Sequence, residues 1–208
     1  MTAERTVGTR TRVLIAEDEA IIRLDLKETL TAEGYEVVAD SGRGDEALVL
    51  VRELRPDVAI LDIKMPGNDG LAVARAISEE RLCAVLVLTA FSQRELVAQA
   101  AQSGVLAYLV KPFAAGELVA AIEIALARFG EAQELKAEAT DYAEQLQTRK
   151  IVERAKGLLM DNYGFREDDA FAFMRSTAMN QRRPMRAVAE DLLAGTLSVA
   201  STPADDSR

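Results

Sequence analysis

The sequence predicts an α/β domain built on a doubly wound, five-stranded parallel sheet, joined by a long helix to a small all-α segment. Three observations predict it. Short apolar runs alternate with helical patterns over the first 128 residues. A seam of apolar residues then continues past the point where such a domain should end, and three amphipathic stripes follow. Apolar strands alternating with helices imply a parallel sheet covered on both faces.

The elements follow in order. Val13-Leu14-Ile15-Ala16 is a continuous apolar run, as a strand buried on both faces requires. Ile22, Leu26 and Leu30 then form a helical stripe stopped by Gly34. Glu36 to Ala39 reads as the second strand. Ala47, Leu48 and Val51 mark a helix that ends near Arg55-Pro56. Val58 to Leu61 is the third strand, Leu71 to Ile77 a helix, and Val85 to Leu88 the fourth strand. A helix is expected over Glu95 to Gln102, a fifth strand over Ala107 to Val110, and a last helix after Pro112.

From Leu118 the apolar positions Leu118, Ile122, Ala125, Phe129 and Ala132 step by four and three, a heptad seam. Leu135, Ala139, Tyr142 and Leu146 resume it after a stammer, and Gly130 weakens the helix nearby. The seam either pairs with a second chain as a coiled coil or packs on its own domain. Beyond it, Ile151, Ala155, Leu158 and Leu159 form one stripe, ending at Asn162-Tyr163-Gly164. Ala170, Phe171, Phe173 and Met174 form a second. Met185, Val188, Ala189, Leu192 and Leu193 form a third, with Pro184 placed at a helix start. The expected organisation is therefore a first domain over 12–128, a connecting helix over 118–147, a three-helix module over 146–194 and a disordered tail over 195–208.

Composition narrows the function. Hydrophobic residues at 49% and charged residues at 28% suit a soluble globular protein. No apolar run approaches the roughly 18–20 residues needed to span a bilayer, and no signal peptide is visible. The single cysteine, Cys83, cannot form an internal disulfide and reads as a buried, reduced thiol. A cytoplasmic protein with no membrane partner is expected. Histidine is absent, which excludes Ser-His-Asp and Cys-His catalysis and any His-ligated metal. The net charge of −9 is uneven: residues 1–147 hold 15 Lys+Arg against 25 Asp+Glu, while residues 148–195 hold 9 against 7. A mildly basic module behind an acidic domain implies two modules with different partners.

In a doubly wound sheet, ligands bind beyond the carboxyl ends of the strands. Glu17 and Asp18 follow the first strand there, Asp62 ends the third, Thr89 the fourth and Lys111 the fifth. Three clustered carboxylates repel one another and demand a cation, and an all-oxygen set prefers hard Mg²⁺. The combination fits phosphoryl transfer to an aspartate nucleophile, with Lys111 and Thr89 meeting phosphoryl oxygens. A haloacid-dehalogenase-type phosphatase also uses a nucleophilic Asp, but it wants an acid two residues further on, where this chain has Lys64.

Residues 12–128 resemble the response-regulator receiver domain. The resemblance is carried by Val13-Leu14-Ile15-Ala16-Glu17-Asp18-Glu19, Leu61-Asp62-Ile63-Lys64-Met65-Pro66-Gly67, Leu88-Thr89-Ala90 and Lys111-Pro112-Phe113. It implies a flavodoxin-like fold with strand order 2-1-3-4-5 and a sensor histidine kinase as phosphodonor. It implies Asp62 as phospho-acceptor, Glu17 and Asp18 as the acidic pair and a metal contact from the Lys64 carbonyl. Thr89 and Tyr108 would be the switch pair, and the Lys111–Pro112 bond would be cis. Such a protein is no enzyme beyond, at most, autophosphatase activity. Glu17 departs from the more usual Asp by one methylene.

The basic module offers Arg149, Lys150, Arg154 and Lys156 on its first helix and Arg182 and Arg183 before its third, all able to meet phosphates. Tyr163 and Phe165 could stack on bases if exposed. The run Arg149-Lys150-Ile151-Val152-Glu153-Arg154-Ala155-Lys156-Gly157-Leu158-Leu159-Met160, with Asp169-Ala170-Phe171, Ala178-Met179 and Arg186-Ala187-Val188-Ala189, resembles the ANTAR domain. The resemblance implies stem-loop RNA as ligand and transcription antitermination as output. Two alternatives are that these helices serve dimerisation, or that they form a DNA-binding output.

Overall fold

The computed structural model describes residues 10–90 and 105–199. The helix expected over Glu95–Gln102 lies outside the described residues. The chain divides into two compact units, Met1–Glu134 and Leu135–Arg208.

In the first unit, β1 (Arg12–Ala16), β2 (Glu36–Ser41), β3 (Val58–Asp62), β4 (Ala84–Thr89) and β5 (Ala107–Val110) form one parallel sheet in the order β2-β1-β3-β4-β5. Helices α1 (Ala20–Ala32), α2 (Gly44–Leu54) and α3 (Gly70–Glu80) connect the first four strands. Side chains on a strand point alternately to opposite faces, so each apolar run divides between two cores. Val13, Ile15, Val58, Ile60, Leu86 and Leu88 face Leu26 and Leu30 of α1 and Leu118 and Ile122 of the last helix of the unit. Leu14, Ala16, Ala59, Leu61, Val85 and Val87 face Val51 of α2 and Val73 and Ile77 of α3. Burying each Val, Leu or Ile side chain among them contributes about 1.5–3 kcal/mol, so the unbroken hydrophobicity of the strands is itself the force that covers both faces.

The strand ends differ from the expected ones by a residue or two. β2 runs on to Ser41, and β4 takes in Ala84 and Thr89. Helix α3 starts at Gly70 because the Asp69 carboxylate accepts the Ala72 amide at 2.7 Å, an N-cap that the apolar stripe does not reveal.

The long helix is α4, Ala115–Tyr163, 49 residues without a break. The connecting helix and the first helix of the basic module are therefore one element, where the sequence suggests a separate short helix. Gly130 is carried through it, since a single glycine costs about 1 kcal/mol and the preceding turns are buried through Leu118, Ile122 and Ala125. Leu118, Ile122 and Ala125 are fully buried in the first core, so this stretch of the seam packs on its own domain. Leu135, Tyr142 and Leu146 stand 60–67% exposed.

In the second unit, α5 (Glu167–Gln181) and α6 (Met185–Leu193) pack with the end of α4. Each helix gives three residues to the core: Val152, Ala155 and Leu159; Ala170, Met174 and Ala178; Val188, Ala189 and Leu192. Four of the nine are alanine, which lets the helix axes approach closely. Gly164, at φ 69°, ends α4 in the left-handed conformation that glycine adopts without strain. Phe165 then turns inward and meets Phe173 edge-on at 5.5 Å. Leu197 and Val199 are partly buried against the same cluster; residues 200–208 lie outside the described set. No helix among the described residues is long and apolar enough to cross a membrane.

Candidate phospho-acceptor site

β1 and β3 are neighbours in the sheet with Ala16 paired to Leu61, so the residues that follow, Glu17 and Asp62, emerge level with each other. Thr89 ends β4 paired with Val110, and the Lys111 amide continues the ladder by donating to the Thr89 carbonyl at 2.8 Å. The sheet order thus brings to one edge groups that lie far apart in sequence.

Lys111 is the centre of the cluster. Its Nζ donates to Glu17 Oε2 at 2.6 Å and to Asp62 Oδ1 at 2.8 Å. The second Asp62 oxygen, Oδ2, accepts the Lys64 amide at 3.0 Å, which fixes the carboxylate plane. Glu17 is fully buried and Asp62 nearly so, whereas Asp18 is exposed at the mouth. Carboxylate oxygens of Glu17, Asp18 and Asp62 all lie within 4.8 Å of one another. The Lys111–Pro112 peptide bond is cis.

Burial pushes the Glu17 carboxyl above its ordinary value, and the nearby Asp62 charge adds to that, although the Lys111 hydrogen bond opposes both. Burial works against the Lys111 ammonium, but hydrogen bonds to Asp62 and Glu17 outweigh it and raise its pKa. The ammonium is therefore held charged among three carboxylates that one cation cannot neutralise. A second, divalent cation with oxygen ligands suits the remaining charge.

The loop after Asp62 is clamped by backbone contacts. The Gly70 amide donates to the Ile63 carbonyl at 2.8 Å and the Gly44 amide to the Pro66 carbonyl at 3.0 Å. A Cβ on Gly70 would sit 1.9 Å from the Asp62 carbonyl oxygen, and one on Gly44 1.9 Å from that of Asn68. Neither glycine stands out in a reading of charged groups, yet both hold the acceptor's loop. Arg23 is a further residue that sequence reasoning missed: its guanidinium donates to the Glu17 carbonyl and pairs with Asp40 at 3.3 Å, tying α1 to the end of β1. Thr89 is buried, and Tyr108 is half-exposed on β5.

In the second unit, Arg149, Lys150, Arg154 and Arg182 are exposed. Lys156 is different: its side chain is only 14% exposed and bridges Glu153 at 2.7 Å and Glu167 at 2.8 Å. Arg183 pairs with Asp191 at 2.7 Å. Both cations are thus engaged within the module, because α5 and α6 bring acidic residues to them. Phe165 is occupied by Phe173, while Tyr163 stays 39% exposed.

The family description "Response regulator receiver domain" matches residues 13–123, and "ANTAR domain" matches residues 140–193. Over 182 residues the chain is 50% identical to the transcriptional regulatory protein PdtaR of Mycobacterium tuberculosis (strain ATCC 25618 / H37Rv), covering 88% of this chain and 89% of that one. It is 35% identical to the chemotaxis protein CheY of Thermotoga maritima over 112 residues, 53% of this chain and 93% of that one. A solved LuxR-family DNA-binding response regulator from Staphylococcus aureus superposes with a TM-score of 0.54 at 34% identity, over 56% of this chain and 98% of that chain.

Proposed function

The chain belongs to the response regulators that join a receiver domain to an ANTAR domain, and from that premise we propose that Asp62 is its phospho-acceptor. It is a two-component signalling protein rather than a classical enzyme, with a sensor kinase as partner and an RNA-binding, antiterminating output. The observation that carries the assignment of Asp62 is the Lys111 ammonium between Asp62 and Glu17, with Asp18 completing a three-carboxylate cluster.

The donor set fits Mg²⁺: three carboxylate oxygens lie within 4.8 Å of one another, all hard ligands, and on this reading the Lys64 carbonyl would be a further oxygen ligand. When bound, Mg²⁺ neutralises phosphoryl charge and draws the donor to the site. The protein's own groups do the rest. The Lys64 amide holds one Asp62 oxygen, leaving the other, now on Lys111, to attack phosphorus in line with the leaving group. Lys111 then passes from the carboxylate to a phosphoryl oxygen. Thr89 donates to another, and the Tyr108 ring turns inward into the space this opens. Autophosphatase activity, by water on the same acyl phosphate, belongs to this reading.

Phosphorylation on this reading alters the receiver surface and favours pairing of two chains through Leu135, Tyr142 and Leu146, whose exposure supports a homodimer. Two ANTAR modules would then hold a pair of stem-loops in a nascent transcript, in the cytoplasm. Arg149, Lys150, Arg154 and Arg182 are the exposed cations for its phosphates. The test is binding of the full chain to a two-stem-loop RNA and to duplex DNA, with and without acetyl phosphate and Mg²⁺, repeated with Asp62→Ala. RNA-selective binding that strengthens with the phosphodonor only when Asp62 is present is the expected result. Phosphorylation without RNA binding would leave the helices as a dimerisation module.

A further inference from the structure

We propose that the outward face of α5, bearing Phe171, Arg175, Met179 and Arg182, is the surface that contacts unpaired loop bases of the RNA. The inference rests on the RNA-binding reading above and adds which side chains make base contact. Helix α5 spends its inner face on the core through Ala170, Met174 and Ala178. The other face is unusual for a solvated helix. Phe171 is 43% exposed and Met179 70%, and Arg175 and Arg182 are exposed beside them. Steps of four, four and three place all four in one stripe.

The two arginines share with Arg149, Lys150 and Arg154 of α4 the lack of an ion pair among the described residues, and differ in this from three other cations of the module. Lys156, Arg183 and Arg186 are each paired with a carboxylate. Arg175 and Arg182 make no ion pair or side-chain hydrogen bond among the described residues, so their charge is open to an outside anion. Arg182 is also held in the left-handed conformation at the helix end, at φ 50°, where the Arg183 amide closes the turn onto Ala178.

An aromatic ring and a thioether interleaved with unpaired guanidinium groups match single-stranded nucleic acid. Bases stack on the ring or on guanidinium planes, and the charges meet the backbone. A second copy of the chain fits less well, since a two-fold contact would set arginine against arginine with no acid in the stripe's C-terminal half. Glu167, Asp168 and Asp169 occupy the first turn, so the nucleic acid seats toward Arg175–Arg182.

The experiment uses the full chain treated with acetyl phosphate and Mg²⁺. Its probes are an RNA of two short stem-loops with unpaired loops and a fully paired RNA of the same length. Phe171→Ala should weaken stem-loop binding roughly 5- to 150-fold, the worth of one base–aromatic stack, with little change for the paired RNA; Phe171→Tyr should restore it. Arg175→Gln with Arg182→Gln should weaken both RNAs and lower the slope of log affinity against log salt by about one for each phosphate no longer neutralised. Far-UV circular dichroism and a thermal melt establish that the variants fold. Wild-type affinity in folded Phe171→Ala and in the double arginine variant would overturn the assignment while leaving RNA binding intact. Loss of dimer mass in sedimentation with the same variants would assign the face to a protein contact instead. Failure of the unaltered chain to bind either RNA would remove both readings together.

Discussion

Lys111 Nζ lies 2.6 Å from Glu17 Oε2, although β5 and β1 are separated in the sheet by β3 and β4. The long side chain reaches over β4, and Glu17 has no exposure to water. The glutamate thus carries a charge that burial opposes and that one ammonium must share with Asp62.

Because the folded pKa of Glu17 is raised, the native state holds its proton more tightly than the unfolded chain. Its contribution to stability is full below the unfolded value near 4.5 and is lost as pH rises through the folded value. Glu17→Gln, which keeps an acceptor for Lys111, should be more stable than the natural chain by about 1 kcal/mol at pH 7. The difference should shrink toward the unfolded value. Urea midpoints across that range measure it, and a difference independent of pH would contradict the account.

Magnesium should stabilise the natural chain, since the three carboxylates repel one another without it. At about ten times the dissociation constant the gain is about 1.4 kcal/mol. Asp18→Asn and Asp62→Asn should each reduce that gain while raising stability in the absence of the ion. Thermal melts with and without MgCl₂ decide the matter; an equal magnesium effect in all three proteins would place the ion elsewhere.

Two glycines should respond oppositely to alanine. Gly70→Ala drives a methyl group into the Asp62 carbonyl, and the β3–α3 loop cannot yield without breaking the Gly70–Ile63 hydrogen bond. A destabilisation of about 3 kcal/mol is expected. Gly130→Ala meets nothing within 4 Å in the middle of α4 and should gain about 1 kcal/mol. Denaturant titrations of the two variants read both signs.

Cys83 should be inert. Burial pushes its thiol up to about 12, and its exposure is 3%. Modification by a disulfide reagent at about pH 8 should proceed no faster than local opening. Above about pH 9 the unfolded chain loses the thiol proton and the native one keeps it, so stability should fall by as much as about 1.4 kcal/mol per pH unit up to about 12. Cys83→Ala should remove that fall. Rapid labelling of the folded chain would sink the prediction.

Pairing through α4 should depend on its exposed apolar residues. Tyr142→Ser with Leu146→Ser should raise the dissociation constant of any phosphorylated dimer at least about 10-fold, equivalent to ~1.4 kcal/mol and less than the burial of one leucine is worth. Sedimentation equilibrium with acetyl phosphate supplies the measurement. An unchanged constant would move the interface off this helix.

The sheet was legible because its strands are buried on both faces. Val58–Leu61 and Val85–Leu88 are apolar without interruption, and their short length, β-branched content and place between helical stripes favour buried strands. Helix starts were less legible: the Asp69 carboxylate caps α3 and sets its start at Gly70, which apolar spacing does not record, whereas α2 ends with Arg55 as its cap, where the sequence placed it. The heptad seam was ambiguous for a physical reason. Leu118 and Leu146 obey one repeat, yet the first is fully buried and the second 60% exposed. A repeat states that a face wants cover, not what covers it.

By itself, then, the sequence determined the parallel sheet, the identity of Glu17, Asp18, Asp62, Thr89 and Lys111 as groups at strand ends, and the presence of a basic helical module. These follow from periodicity and from residue chemistry, which are local. Only the tertiary structure decided that Lys111 bridges Glu17 and Asp62, that Gly44 and Gly70 hold the acceptor loop, and that α4 is one helix of 49 residues. It also decided that Lys156 and Arg183 are engaged by Glu167 and Asp191 while Arg175 and Arg182 are not. The reason is that charges are partnered through space: the Lys156–Glu153 pair follows from helical spacing, but Glu167 and Asp191 reach Lys156 and Arg183 only because packing sets them there.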